Sequence, residues 1–150
     1  MLPRCLTERL SSERDDDPRH ATYYASVQDL RDAVSRDLED LLNTRSEAPR
    51  LLPDAFVECL ASSLTYGVPD FSSSSLLGPH DRDRIRRTLE GAIGQHEPRL
   101  SRVRVALEPQ REHERALRFR VDALLRLGPE QEKVRFDAVL QLSTQVCAVQ

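Results

Sequence analysis

Glu97-Pro98-Arg99 is the segment of this sequence best equipped for chemistry. Pro98 cannot continue a helix, and it pushes Glu97 toward an extended conformation. In extended backbone, residues two apart point the same way, so one carboxylate and one guanidinium project together. The pair shares odd parity with Val103, Val105 and Leu107, so a strand without a bulge sets it at the margin of the core side. Spacing alone leaves two readings open. A semi-buried pair is costly to break, because the survivor is left charged and dry. A surface pair is worth under about 1 kcal/mol.

The second candidate is a face rather than a motif. Arg102, Arg104, Arg118, Arg120, Arg126 and Arg135 alternate with apolar residues along three extended runs, against Asp122 and Asp137. Cations crowded on one face repel each other. Either water covers this face, or an acidic partner lies across it with Arg118 and Arg120 among its contacts. No aromatic residue interleaves the arginines, which disfavours nucleic acid.

A catalytic constellation does not assemble. No nucleophile elbow, triad motif or glycine-rich phosphate loop is present. The best carboxylate pair for glycoside hydrolysis is Glu90 with Glu97. On one helix they are separated by a rise of about 10.5 Å, beyond the spacing of about 5 to 9.5 Å that the mechanism uses. A guanidinium beside Glu97 also favours an ionised carboxylate, whereas a general acid must carry its proton. His20, His80, His96 and His113 have no partner at metal-ligand spacing. Cys5, Cys59 and Cys147 are odd in number and scattered, so neither a disulfide framework nor a structural zinc site is expected, and a reducing cytosol is the natural compartment. No cofactor is implied.

The elements that position these residues follow from periodicity. Val27, Leu30, Val34, Leu38, Leu41 and Leu42 make one apolar stripe over a helix at 26–45, with Ser26 and Asp29 as a capping box. Ala48-Pro49 ends any extension, and Pro53 starts a short helix through Phe56 and Leu60. Tyr66-Gly67-Val68-Pro69-Asp70 reads as a structured turn, with Gly67 free to take positive φ. A second helix spans 81–96, capped by Asp81 or Asp83, with Ile85, Leu89, Ala92 and Ile93 on one face. Gly91 and Gly94 in it suggest close packing on the sheet. Three period-two runs follow, through Val103–Leu107, Leu117–Leu127 and Val134–Leu142. Connections near 109–116 and 128–133 are short enough for hairpins, and Val146–Val149 extends the third strand or pairs elsewhere. The fold class is therefore α+β: a small antiparallel meander of about three strands in the C-terminal half, packed against two main helices.

The chain has 150 residues, enough for one domain. Residues 1–25 read as a tail: a short amphipathic segment (Leu2, Leu6, Leu10) and a polar linker at Ser11–Pro18 precede the domain at 26–150. Net charge is -3, which argues against a dedicated nucleic-acid binder. The charge is uneven: residues 1–100 hold 13 basic and 18 acidic side chains, and residues 101–150 hold 9 and 7. No apolar run approaches the roughly 18 residues of a membrane span, and Met1–Leu10 lacks the apolar core of a secretory signal.

Several ordered motifs resemble the TssE family, the lysozyme-like baseplate wedge subunits of type VI secretion systems and contractile phage tails. Arg4–Leu10 is similar to the family's N-terminal segment. Val34–Arg45, ending Leu41-Leu42-Asn43-Thr44-Arg45, matches its first helix, and Leu64–Asp70 matches its Tyr-Gly-x-Pro-Asp turn. Ile85–Leu100 matches the second helix and the Glu-Pro-Arg motif, and Phe136-Asp137 with Leu140–Ser143 resembles the last strand. Residues 46–55 and 72–80 depart from the pattern. The resemblance implies a structural part rather than a catalyst, despite the old lysozyme label, which keeps a peptidoglycan-hydrolysing enzyme as the alternative. It implies wedge partners TssF and TssG, neighbouring TssK, and contact with the first TssB–TssC sheath ring. The place would be a cytoplasmic baseplate docked at an inner-membrane complex, with no direct membrane insertion. A partner strand would complete the sheet by β-augmentation, and Glu97, Pro98 and Arg99 would serve wedge assembly.

Overall fold

The computed structural model describes residues 2–3, 23–24, 26–53, 55–71, 78–109, 116–141, 143–144 and 146–150. The amphipathic turn at Leu6–Leu10, the linker at Ser11–Pro18 and the serine run at Ser72–Ser75 lie outside them.

The apolar stripe folds as expected into α1 (Val27–Asn43). Ser26 accepts a hydrogen bond from the Asp29 amide, and Asp29 accepts one from the Ser26 amide, so the capping box closes on both sides. Ala48-Pro49 does not simply end the helix. It opens a separate turn, α2 (Ala48–Leu51), because proline suits the first turn, where its missing N–H is no loss. The next short helix, α3 (Val57–Leu60), starts at Phe56 rather than Pro53, and a 3₁₀ turn follows at Ser63–Thr65. The second long helix, α4 (Pro79–His96), begins at Gly78 with Pro79 in its first turn, not at Asp81 or Asp83.

A two-stranded ribbon pairs β1 (Leu2–Pro3) with β2 (Tyr23–Tyr24). The main sheet is fully antiparallel in the order β3 (Leu100–Leu107), β4 (Ala116–Leu127), β5 (Glu130–Gln141), β6 (Cys147–Val149). The third expected strand thus starts earlier, straight after a two-residue turn at Gly128-Pro129, and 147–149 forms a fourth strand beside it. The inner sides of β4 and β5, Leu117 to Leu125 and Val134 to Leu140 at every second residue, meet Leu30, Val34, Leu38 and Leu41 of α1 and Ile85, Leu89 and Ile93 of α4 in one core. Both long helices therefore lie on one face of the sheet.

One expectation fails in β3. The register slips between Ser101 and Arg104, where two residues oppose one, and Arg102 takes φ +53. This bulge reverses parity: Leu100 is buried before it and Val105 after it. Gly91 and Gly94 also differ from expectation. Nothing lies within 4 Å of a Cβ built on either, so neither permits a close approach.

Helix side chains close much of the sheet's edges. On β3, the Val105 amide donates to Glu90 at 2.9 Å, and Arg82 donates to the Leu107 carbonyl at 3.4 Å and to that of Glu108, just past the strand, at 2.8 Å, both from α4. On β6, Asn43 of α1 both donates to the Cys147 carbonyl (2.9 Å) and accepts its amide (2.7 Å), and Glu39 accepts the Val149 amide (3.1 Å). β5 outruns its short neighbour. Its odd residues face β6, as Asp137 and Gln141 show. By the two-residue period, Gln131, Lys133 and Arg135 present their backbone groups beyond the end of β6.

Two predictions follow from these positions. Gly67 has φ +118, and a Cβ there would sit 2.6 Å from the Thr44 carbonyl oxygen. Gly67→Ala should cost about 2 kcal/mol or more, whereas Gly94→Ala on an open helix face should gain about 0.5–1 kcal/mol; urea midpoints report both. Burial, aided by the Glu39 charge against that of Arg45, pushes the Cys147 thiol from 9.0 to about 12. Below pH 9 the thiol keeps its proton in both states. Above it the unfolded chain ionises first, so stability falls as pH rises toward 12. The urea midpoint of the natural protein should drop more steeply between pH 9 and 11 than that of Cys147→Ala.

Candidate functional site: a buried carboxylate–guanidinium clamp

Glu97 caps the C-terminus of α4, its amide still bonded to Ile93 at 2.9 Å. Pro98 stops the helix, and Leu100 opens β3 with its amide on the Glu97 carbonyl at 3.1 Å. The chain thus turns from helix to strand within three residues.

Of the two readings left by spacing, the buried one holds. Glu97 is 3% exposed, although the bulge removes the parity argument for it. Its carboxylate is held by Arg99 in a fork: Nε to Oε1 at 2.8 Å and Nη2 to Oε2 at 2.6 Å, with the Arg99 amide on Oε1 at 3.1 Å. Arg99 Nη2 also donates to Asp37 of α1, and Nη1 reaches the Tyr24 hydroxyl at 3.3 Å. One guanidinium therefore ties together the α4–β3 junction, the middle of α1 and the β1–β2 ribbon. Burial works against its charge, but the hydrogen bonds and charges of Glu97 and then Asp37 outweigh burial and raise its pKa above the ordinary arginine value.

The Tyr-Gly-x-Pro-Asp turn packs beside this clamp. The Tyr66 ring meets the His96 ring edge-on, with centroids 5.4 Å apart. Gln95 donates to Thr65 at 2.8 Å. Val68 exchanges backbone bonds with the end of α1, its amide on Thr44 (2.9 Å) and its carbonyl on Ser46 (3.1 Å). Burial raises the Tyr66 hydroxyl's pKa, and the negative charges of Asp40, Asp37 and Glu97 add to it. A shallow cavity of about 360 Å³ lies where the three segments meet, with Asp37 and Leu41 on one side, Tyr66 and His96 on another, and Pro98 and Arg99 at the rim.

The expected site residues fall into two separate places. Glu97, Pro98 and Arg99 form this clamp. Arg118 and Arg120 stand on the opposite, outer face of the sheet. Arg120 bonds Asp122 at 3.1 Å, and Arg118 is also engaged, so neither is a bare cation. Asp37 and Tyr24 escaped the sequence reading. A signal for Asp37 existed: it stands three residues after Val34 and four before Leu41, so a carboxylate shares the buried stripe. Nothing local marked Tyr24. Glu90, the other carboxylate considered for catalysis, is occupied by Arg86 at 2.8 Å and the Val105 amide. Among the described residues, no group of three or more His, Cys, Asp and Glu could hold a metal ion, and no helix is long and apolar enough to cross a membrane.

A family model described as baseplate wedge protein gp25 matches residues 28–130, a span that holds all but the first residue of α1, the Tyr66 turn, and Asp37, Glu97 and Arg99 of the clamp. Among solved structures, the chain is similar to one titled "The baseplate complex from the type VI secretion system", with 20% identity, a TM-score of 0.51, and coverage of 76% of this chain and 96% of that one. At that identity the likeness speaks for the fold. Comparison with curated proteins finds no match.

The clamp's asymmetry is testable. Glu97→Gln leaves Arg99 charged without its buried fork partner and should cost about 3 kcal/mol. Asp37→Asn, at a more exposed partner, should cost about 1 kcal/mol. Chemical denaturation of the two variants and their double would show coupling, because both act through Arg99.

Proposed function

The chain belongs to the baseplate wedge protein gp25 family, and on that premise we propose that it joins wedge subunits to the first sheath ring in a type VI secretion machine. The observation that carries this reading is the family match over 28–130, because it spans Asp37, Glu97 and Arg99, the charged groups of the clamp. The wedge partners are TssF and TssG with TssK nearby, and the sheath partners are TssB and TssC. The work is done in the cytoplasm, on a baseplate docked at the inner-membrane complex.

Glu97 and Arg99 act as positioning residues in this account. Glu97 is buried and Arg99 spends its guanidinium on internal partners. What they hold out is the exposed Pro98 and the rim of the cavity, which a wedge neighbour contacts. The sheath side uses the open stretch of β5. A strand in line with β6 would meet the outward backbone groups of Gln131, Lys133 and Arg135, which among the described residues lack the helix side chains that occupy β3 and β6.

A hydrolytic role is poorly served by this geometry. Both oxygens of Glu97 accept from Arg99, and both of Glu90 are engaged, so neither carboxylate presents an unoccupied oxygen to a substrate. Muramidase turnover by the purified chain, lost in Glu97→Gln, would support the enzyme instead.

Co-purification of the tagged chain from its native cells, read by mass spectrometry, checks the assembly role. Wedge and sheath subunits should accompany the natural protein. Gln131→Pro removes an outward N–H without breaking a β4–β5 bond, so it should keep the wedge subunits and lose the sheath. Recovery of the chain alone, or with unrelated proteins, would contradict the proposal.

A further inference from the structure

Among the described residues no helix covers the outer face of the sheet, and its charges divide into two zones. By register, Arg104, Arg118, Arg120, Arg126, Lys133 and Arg135 stand on it, with Asp122 and Asp137. Lys133 takes the place that the sequence reading gave Arg102, which lies in the bulge. The centre of the face is internally neutralised. Asp122 accepts from Arg135 at 2.9 Å and from Arg120 at 3.1 Å. Arg135 above all, then Arg120, hold its carboxyl below the usual range against a smaller effect of burial.

The end of the face near the Gly128 turn is different. Arg104, Arg126 and Lys133 are exposed and pair with no carboxylate among the described residues. They surround half-buried Leu124: Lys133 is directly opposite it, Arg126 is two residues along the same strand, and Arg104 is the diagonal neighbour through Asp122. Three uncompensated cations around one apolar side chain stand out on a chain whose net charge is -3.

We propose that Arg104, Arg126 and Lys133, set around Leu124, form a docking surface for an acidic patch on a neighbouring protein of the assembly. This rests on the baseplate reading. Charge complementarity selects the occupant: a carboxylate-bearing surface supplies the counter-charges the sheet lacks, and one apolar side chain can cover Leu124. Nucleic acid fits less well, because both phenylalanines of β4 and β5, Phe119 and Phe136, are buried on the other side and leave no stacking platform. An anionic membrane fits less well too, because three cations without an exposed aromatic or apolar wedge give weak anchoring. The proposal sets the contact on Arg104 and Arg126, whereas the sequence reading set it on Arg118 and Arg120, which have partners within the chain.

The test measures binding of the purified full chain to baseplate subunits isolated without it. Lys133 is left unchanged, since it lies on the open β5 stretch. Arg104→Glu/Arg126→Glu should weaken binding about tenfold or more and flatten its salt dependence. Arg104→Gln/Arg126→Gln should give an intermediate loss, which keeps the test valid if charge reversal beside Asp122 disturbs folding. Arg104→Lys/Arg126→Lys should stay within about twofold of the natural protein. Equal affinity for the natural protein and the folded Gln and Glu variants would overturn the proposal while leaving the baseplate reading intact. Tighter binding of the natural protein to single-stranded DNA or phosphatidylserine vesicles than to the subunits would overturn it in favour of those polyanions. Failure of the natural protein to bind any baseplate subunit would remove the baseplate reading and the proposal with it.

Discussion

A carboxylate cannot sit in a protein core without a cation or several donors, and Glu97 sits there with 3% of its surface exposed. That requirement governs the rest of the architecture. Arg99 must arrive two residues later, so the helix has to end at Glu97 and the chain has to extend at once, which Pro98 enforces. The guanidinium has more donors than one carboxylate can accept, and Asp37 and Tyr24 take the surplus. A single short motif thereby fixes where α1 and the β1–β2 ribbon lie against the start of β3. Such a network is valuable as a setter of geometry more than as a source of net stability, since burying charges costs about as much as pairing them returns.

The same use of helix side chains recurs at the sheet's margins. Glu90 and Arg82 on β3, and Asn43 and Glu39 on β6, satisfy backbone groups that would otherwise face outward. Unpaired strand edges invite uncontrolled association, and these side chains close much of both edges. Among the described residues, nothing pairs with the outward side of β5 beyond β6, and the outer face beside it carries Arg104, Arg126 and Lys133 without a carboxylate partner. The surfaces proposed for partners are chemically distinct: Pro98 beside the cavity, the backbone of β5, and the basic zone around Leu124.

Much of this was legible in the chain. The stripe from Val27 to Leu42, the Ser26 box and the period-two runs have one cheap solution each, and they folded accordingly. The polarity of Glu97 and Arg99 was visible, and so was their alignment across Pro98. Their burial was not, because it depends on Asp37 and Tyr24, which approach from 62 and 75 residues away. The bulge at Arg102 was hidden for a related reason: no glycine marks it, and only the β4 register imposes it. Alternation gives the outer face of Arg118 and Arg120 but not the ion pairs across it. Asp122 stands directly opposite both Arg104 and Arg135, and its bonds go to Arg135 and to Arg120 two residues away on its own strand.

The central claim is that Glu97 and Arg99 act inward, by holding shape, rather than as charges presented to a partner. Replacing Asp37, Glu97 and Arg99 together by Leu, Leu and Met keeps similar volume and removes every charge from the clamp. Buried ion networks have been exchanged for apolar groups in this way without loss of a unique fold. The decisive measurement is the affinity of that triple variant for isolated wedge subunits, with its folding checked by thermal denaturation. The account predicts a folded protein that binds within a few-fold of the natural one. A folded triple variant that no longer binds would contradict it, and would mean that a partner reads the charges themselves.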